Sequence, residues 1–123
     1  MKAIGLALAV LAATAINASA AQAGDAEKGK KVFNKCRACH AVDKPQNRVG
    51  PHLVGVVGRK AGSVDKFRYS EAMKNAGIVW DDKNLSSYLE KPRDFVKGNR
   101  MAFPGLKDAA DRDDVIAYLR TIK

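Results

Sequence analysis

The chain has 123 residues, and 22 Lys and Arg against 13 Asp and Glu give it a formal net charge of +9. That length leaves no room for a second sizeable domain, and no internal repeat, linker or low-complexity tract follows Ala23. A positive balance of this size points to anionic partners, whether nucleic acid, membrane surface or acidic protein.

Residues 1–23 read as a cleaved secretory signal peptide: Lys2 is the positive start, Ile4 to Ala13 is an apolar run, and Ala21-Gln22-Ala23 is a small-x-small cleavage site. Ala18-Ser19-Ala20 is the competing site. Thr14 and Asn17 interrupt the run, which is too short to span a bilayer. The segment has no Arg, unlike mitochondrial import peptides, so it predicts export of a soluble protein into the bacterial periplasm. Cleavage leaves one domain, residues 24–123, and because Lys2 is the only charge removed the balance becomes +8. An exported protein rarely meets nucleic acid, so acidic proteins are the expected partners.

The remainder predicts an all-α fold of four to five short helices joined by Gly- and Pro-marked loops, with no stretch alternating as a strand. Asp25 is a good N-cap for a first helix carrying Gly29, Val32, Phe33 and Cys36 at helical spacing. That helix runs into Cys36-Arg37-Ala38-Cys39-His40, two thiols three residues apart followed by an imidazole, the pattern that attaches a c-type haem. In a helical segment both sulfurs fall on one face, within reach of one edge of a porphyrin as thioethers, and His40 can supply an axial bond to iron.

Three other uses of the cysteines compete. A redox dithiol needs a strand-helix-strand setting that the flanks lack. A zinc set of Cys36, Cys39 and His52 is one ligand short unless His40 is recruited. A disulfide across two intervening residues closes a loop too small for much entropic benefit.

The stretch from His40 to Phe67 is long, polar and Gly-rich, as expected of a segment that wraps a ligand. Ser70 can then cap a short helix that stops at Gly77. Asp81 or Asp82 can cap another, through Leu85, Tyr88 and Leu89, that halts before Pro92. In the irregular segment from Lys97 to Gly105, packing alone gives little reason for a lone Met101, which makes it the candidate sixth ligand. Met73 reads as core filling in its helix and His52 as a loop residue. The clearest helix begins near Asp111, with acidic residues in its first turn, an apolar stripe of Val115, Ile116, Tyr118, Leu119 and Ile122, and a basic end. Domains this small bury little apolar surface for their size, a shortfall that a buried haem fills.

These pieces resemble the class I c-type cytochromes, close to mitochondrial cytochrome c and bacterial periplasmic cytochrome c2. The resemblance spans nearly all of residues 24–123 and rests on Gly24 to Phe33, Cys36 to His40, Gly50-Pro51, Gly58-Arg59, Phe67 to Ser70, Trp80, Tyr88-Leu89, Pro92, Met101 to Phe103 and Asp114 to Leu119. It implies one haem c attached through Cys36 and Cys39, with His40 and Met101 as metal ligands. It also implies that the Pro51 carbonyl orients His40, that Arg59, Tyr69 and Trp80 hold the inner propionate, and that Tyr88 lies near the Met101 sulfur. Gly29 and Phe33 would pack against Val115 and Tyr118 where the terminal helices cross. Two positions depart from the family pattern: Met73 stands where Asn is usual, and Asn99 where Thr beside a propionate is usual.

With both axial positions filled there is no open site for substrate, so the expected role is electron transfer rather than catalysis. A Met ligand places the potential on the positive side. The resemblance implies a membrane cytochrome bc complex as donor and a cytochrome oxidase or photosynthetic reaction centre as acceptor. The rival is a small haem peroxidase or gas-binding haem protein, for which only His52 remains as acid-base help. Lys35, Arg37, Arg48, Arg93, Lys97, Arg100 and Lys107 fall in segments expected to border the haem edge, where a monomer would dock on acidic faces of membrane redox complexes without nucleic acid or a small-molecule substrate.

Overall fold

The computed structural model describes residues 24–123 together with Met1, Ala9, Val10, Ala12 and Ala13. The expected signal peptide and its cleavage site otherwise lie outside the described residues. The elements are α1 (Ala26–Val32), a 3₁₀ turn (Phe33–Lys35), α2 (Glu71–Lys74), α3 (Asp82–Glu90), α4 (Pro92–Phe95) and α5 (Ala109–Arg120). Among the described residues the nearest thing to a strand is one antiparallel bridge, Lys60 to Val79, so the fold is all-α.

Local chemistry sets each helix start. The Asp25 carboxylate accepts from the backbone N–H groups of Glu27 and Lys28, Ser70 Oγ from Met73, and Asp81 from Asn84, each meeting a donor that a helix leaves unpaired at its N-terminus. Three boundaries differ from those expected. The α-helix ends at Val32 and tightens into the 3₁₀ turn, so Cys36 follows the helix rather than sitting on it. The second helix ends at Lys74, not Gly77, because the chain must turn early to pair with residues 59–61: Ala61 N–H donates to Ile78 O and Trp80 N–H to Arg59 O, both at 2.8 Å. Gly77 makes that turn at φ 67, a conformation costly for other residues. The last helix begins at Ala109, since Asp108 rather than an acid near Asp111 caps it.

A helix does stop before Pro92, as expected, and Pro92 itself begins α4, which the sequence did not predict. At the first helical position its missing N–H removes only a donor that would have had no partner.

The most extensive helix packing is α1 on α5. Gly29 is buried against α5, and a Cβ built there would overlap the Asp114 carbonyl and lie 2.8 Å from Tyr118 Cβ. Asp25 N–H donates to Asp114 Oδ1 at 2.7 Å, and Phe33 and Tyr118 stack at 5.5 Å between ring centroids. Behind this crossing Phe33, Val115, Ile116 and Leu119 join Leu85, Trp80 and Tyr88 in one core. Arg112 is buried too, donating from Nε to Ser86 Oγ and from Nη1 to the Leu106 and Lys107 carbonyls, which fastens α5 to α3 and to the chain leading into it. The terminal helices thus form a back wall, and the functional side chains come from the intervening loops and, for Tyr88, from α3.

Candidate functional site: a haem cradle

The Cys36 to His40 segment closes as one tight turn, with the Cys39 and His40 N–H groups both donating to Cys36 O at 3.1 and 3.0 Å. The two thiols are free and half-buried, so the disulfide reading finds no support. Burial pushes the Cys36 thiol above its usual pKa, neighbouring Cys39 adds to this, and Lys35 opposes it. Among the described residues no three His, Cys, Asp or Glu side chains converge, so His52 does not complete a zinc set.

His40 Nδ1 lies 2.6 Å from Pro51 O. A carbonyl can only accept, so Nδ1 carries the proton and, in the neutral ring, Nε2 keeps its lone pair. Burial lowers the pKa of His40, the bond to Pro51 opposes that, and Arg59 adds to the lowering. The ring is therefore poised as a neutral ligand with one fixed tautomer. Gly50 packs against it: a Cβ there would overlap Cε1 and stand 2.8 Å from Nδ1 and 2.9 Å from Nε2. Gly50 N–H in turn donates to Cys39 O. Glycine at position 50 thus leaves room for the imidazole, a reason that its place beside Pro51 in the sequence does not reveal.

On a second wall, Arg59 donates from Nη2 to His52 O at 3.0 Å and from Nη1 to Val54 O at 3.2 Å. Its Nε is buried with no protein partner. Burial lowers the guanidinium pKa, which nearby Tyr69 opposes. A buried donor on a cation is costly to leave unmet, so this atom calls for an acidic oxygen. Tyr69 Oη accepts from Val64 N–H at 3.0 Å and its ring meets Phe67 edge-on at 4.8 Å. Trp80 is buried, and its backbone bond to Arg59 keeps the two residues side by side. His52 is more than a spare imidazole: its Nδ1 accepts from Val54 N–H, bracing the turn whose carbonyls hold Arg59.

On the third wall Tyr88 Oη donates toward Met101 Sδ at 3.7 Å, and Tyr88 stacks on Trp80 at 4.9 Å. Burial pushes the Tyr88 phenol up to about 12, so it stays a donor across the physiological range. Met101 is half-buried at the margin of the core. Asn99, singled out in the sequence only as a departure from the family pattern, spends its amide within its own segment: Nδ2 donates to Pro92 O and Val96 O, and Oδ1 accepts from Met101 N–H. Met73, the other departure, packs half-buried against the core.

The structure thus brings His40 to Pro51, Tyr88 to Met101 and Trp80, and Arg59 to the turn at His52. The residues present fit a haem, as the free Nε2 of His40 and the unpaired Nε of Arg59 indicate. Lys35, Arg37, Arg48, Arg93, Lys97, Arg100 and Lys107 are all exposed. Beside the Met101 segment is a cleft of about 410 Å³ lined by Lys91, Arg93, Asp94, Ala102, Phe103 and Pro104.

Comparison with known proteins agrees with this geometry. A family model described as cytochrome c matches residues 26–123. Cytochrome c2 of Rhodomicrobium vannielii is 52% identical over 124 aligned residues, covering 98% of this chain and 97% of that protein. Cytochrome c of Euglena viridis is 50% identical, covering 81% of this chain and 99% of that protein. The solved structure of cytochrome cH from Methylobacterium extorquens superposes with a TM-score of 0.76 at 47% identity, covering 80% of this chain and 99% of that one.

Proposed function

This chain belongs to the cytochrome c family, and from that premise we propose that it is a soluble periplasmic electron carrier in which His40 Nε2 and Met101 Sδ would hold the haem iron. Members of the family carry covalently attached haem c and transfer electrons rather than act as enzymes, and Cys36 and Cys39 stand at the attachment spacing. The observation that carries the ligand assignment is the 2.6 Å contact of His40 Nδ1 with Pro51 O, which commits one ring nitrogen as N–H and leaves the other with its lone pair for a metal.

Haem c supplies a one-electron ferric/ferrous couple. The chain's own residues do the rest. Pro51 holds the imidazole in one orientation and keeps it electron-rich. The Tyr88 hydroxyl, aimed at Met101 Sδ, steadies a thioether that favours the ferrous state. Arg59, through its unpaired Nε, together with Tyr69 and Trp80, would receive the inner propionate and offset its charge. The core formed by Phe33, Trp80 and Tyr88 excludes water, so the site reorganises little between redox states.

The proposed donor is a membrane cytochrome bc complex and the proposed acceptor a terminal oxidase or photosynthetic reaction centre, each docking an acidic face on the exposed basic residues. The test is a redox-dependent visible spectrum of the exported protein, with intact mass equal to residues 24–123 plus one haem. A Met-to-ferric-iron band near the red end should vanish in Met101→Ala; a variant that keeps the band would remove Met101 from the ligand set.

A further inference from the structure

The backbone around Met101 is sparsely bonded. Between Arg100 and Gly105, Met101 has the only main-chain N–H that finds a protein acceptor among the described residues, and that acceptor is the side chain of Asn99. The same amide donates to Pro92 O at 2.7 Å and to Val96 O at 2.9 Å, the first residue of α4 and the residue that caps its end. One half-buried side chain therefore ties the Met101 backbone to both ends of a short helix.

We propose that Asn99 is the positioning residue of the Met101 loop, a latch that sets how readily Met101 leaves the iron and admits an external ligand. The proposal rests on the reading of Met101 as an axial ligand. Its three hydrogen bonds share one planar amide, so they form and break together when the segment swings out. Departure of Met101 is a local opening, distinct from global unfolding. An added ligand binds only the open form, so its apparent affinity reports the open fraction directly. Hydrogen bonds of this kind are individually modest, but deleting the amide also strands the Met101 N–H and leaves the Pro92 and Val96 carbonyls only the backbone N–H groups of Val96 and Asn99, which together raise the open fraction about tenfold or more.

The probe is imidazole, titrated into the ferric haem-loaded protein and followed in the visible spectrum, with guanidinium unfolding measured alongside. Asn99→Ala should bind imidazole about tenfold more tightly than the unaltered protein. Asn99→Asp keeps the acceptor for Met101 N–H but sets carboxylate oxygen against the Pro92 and Val96 carbonyls, and it should also bind more tightly. It serves in its own right if the Ala variant does not fold. Asn47→Ala is the control for loop loosening in general: Asn47 Nδ2 donates to Asp65 O and its Oδ1 accepts from His52 N–H, a comparable clasp in a different loop. It should lower stability and leave imidazole affinity unchanged. Unchanged affinity in both Asn99 variants, or an equal gain in Asn47→Ala, would overturn the latch. Met101→Ala separates the two levels: if it binds imidazole no more tightly than the unaltered protein, Met101 is not the ligand and the latch falls with it.

Discussion

Gly50 lies against the imidazole of His40 so closely that a methyl group on its Cα would overlap ring atom Cε1, while the carbonyl of the next residue, Pro51, accepts the hydrogen bond from Nδ1–H. The two contacts act as a pair, since one sets where the ring sits and the other how it is turned. Gly50→Ala must push the ring away or lengthen the bond to Pro51. Overpacking of this kind costs about 1–3 kcal/mol. A weaker Nδ1 hydrogen bond makes the imidazole less electron-rich and so stabilises the ferric state less, raising the reduction potential. Spectroelectrochemical titration together with guanidinium unfolding should show a higher potential and a lower midpoint. No change in either would mean that the ring has slack the geometry does not show.

The crossing of α1 and α5 depends on a similar absence of side chain. Gly29 faces the Asp114 carbonyl, backbone that cannot flex away as a side-chain tip can. Although Ala is the better helix former by up to about 1 kcal/mol, Gly29→Ala should lose about 3 kcal/mol or more, because the helices must separate and uncover Phe33 and Ile116. Thermal and guanidinium unfolding of the haem-loaded protein measure this directly. A loss below about 0.5 kcal/mol, the range of ordinary surface changes, would show that the crossing tolerates a side chain.

The sequence made the chemistry-bearing residues easier to see than the framework around them. Cys36, Cys39 and His40 stand in a spacing tied to one cofactor, and the caps Asp25, Ser70 and Asp81 are local, so short windows revealed them. The early end of α2 at Lys74 was hidden because it answers to residues 59–61, far away in sequence. The start of α4 at Pro92 was hidden because the same proline both ends one helix and begins another. Asn99 looked like a mere departure from pattern, since its three partners meet only once α4 has folded back beside Met101. The unmet Nε of Arg59 is a property of burial alone, which no sequence window contains.

Alkaline pH gives a test of how deeply Tyr88 is held. Its phenol is raised from an ordinary 10 to about 12 by burial. Between those values the unfolded chain releases a proton that the folded protein retains, so stability is fully present below pH 10 and declines as pH rises toward 12. Two pKa units correspond to at most about 2–3 kcal/mol at the upper end. Urea unfolding at pH 9 and pH 11 spans about half of that loss, so Tyr88→Phe should reduce the decline by about 1 kcal/mol, with other groups contributing equally to both proteins. Equal declines in the two would place Tyr88 in contact with water.

Charge on the surface governs the last expectation. Arg93 in α4 and Arg100 next to Met101 are both exposed, whereas Lys123 ends the chain after α5. An electron carrier must approach each partner closely and leave quickly, which a small interface steered by charge permits and a large apolar one does not. Steering by exposed charges is screened beyond a Debye length of about 8 Å in physiological salt, so electron delivery to a solubilised terminal oxidase should slow steeply as ionic strength rises. Arg93→Glu and Arg100→Glu should slow the encounter at low salt and flatten its salt dependence, with little change in potential, because neither side chain enters the cradle. Lys123→Glu alters net charge equally and should alter neither rate nor slope by much. Stopped-flow rates that respond alike to all three substitutions would mean that total charge matters and its placement beside Met101 does not; rates flat with salt would remove electrostatic steering altogether.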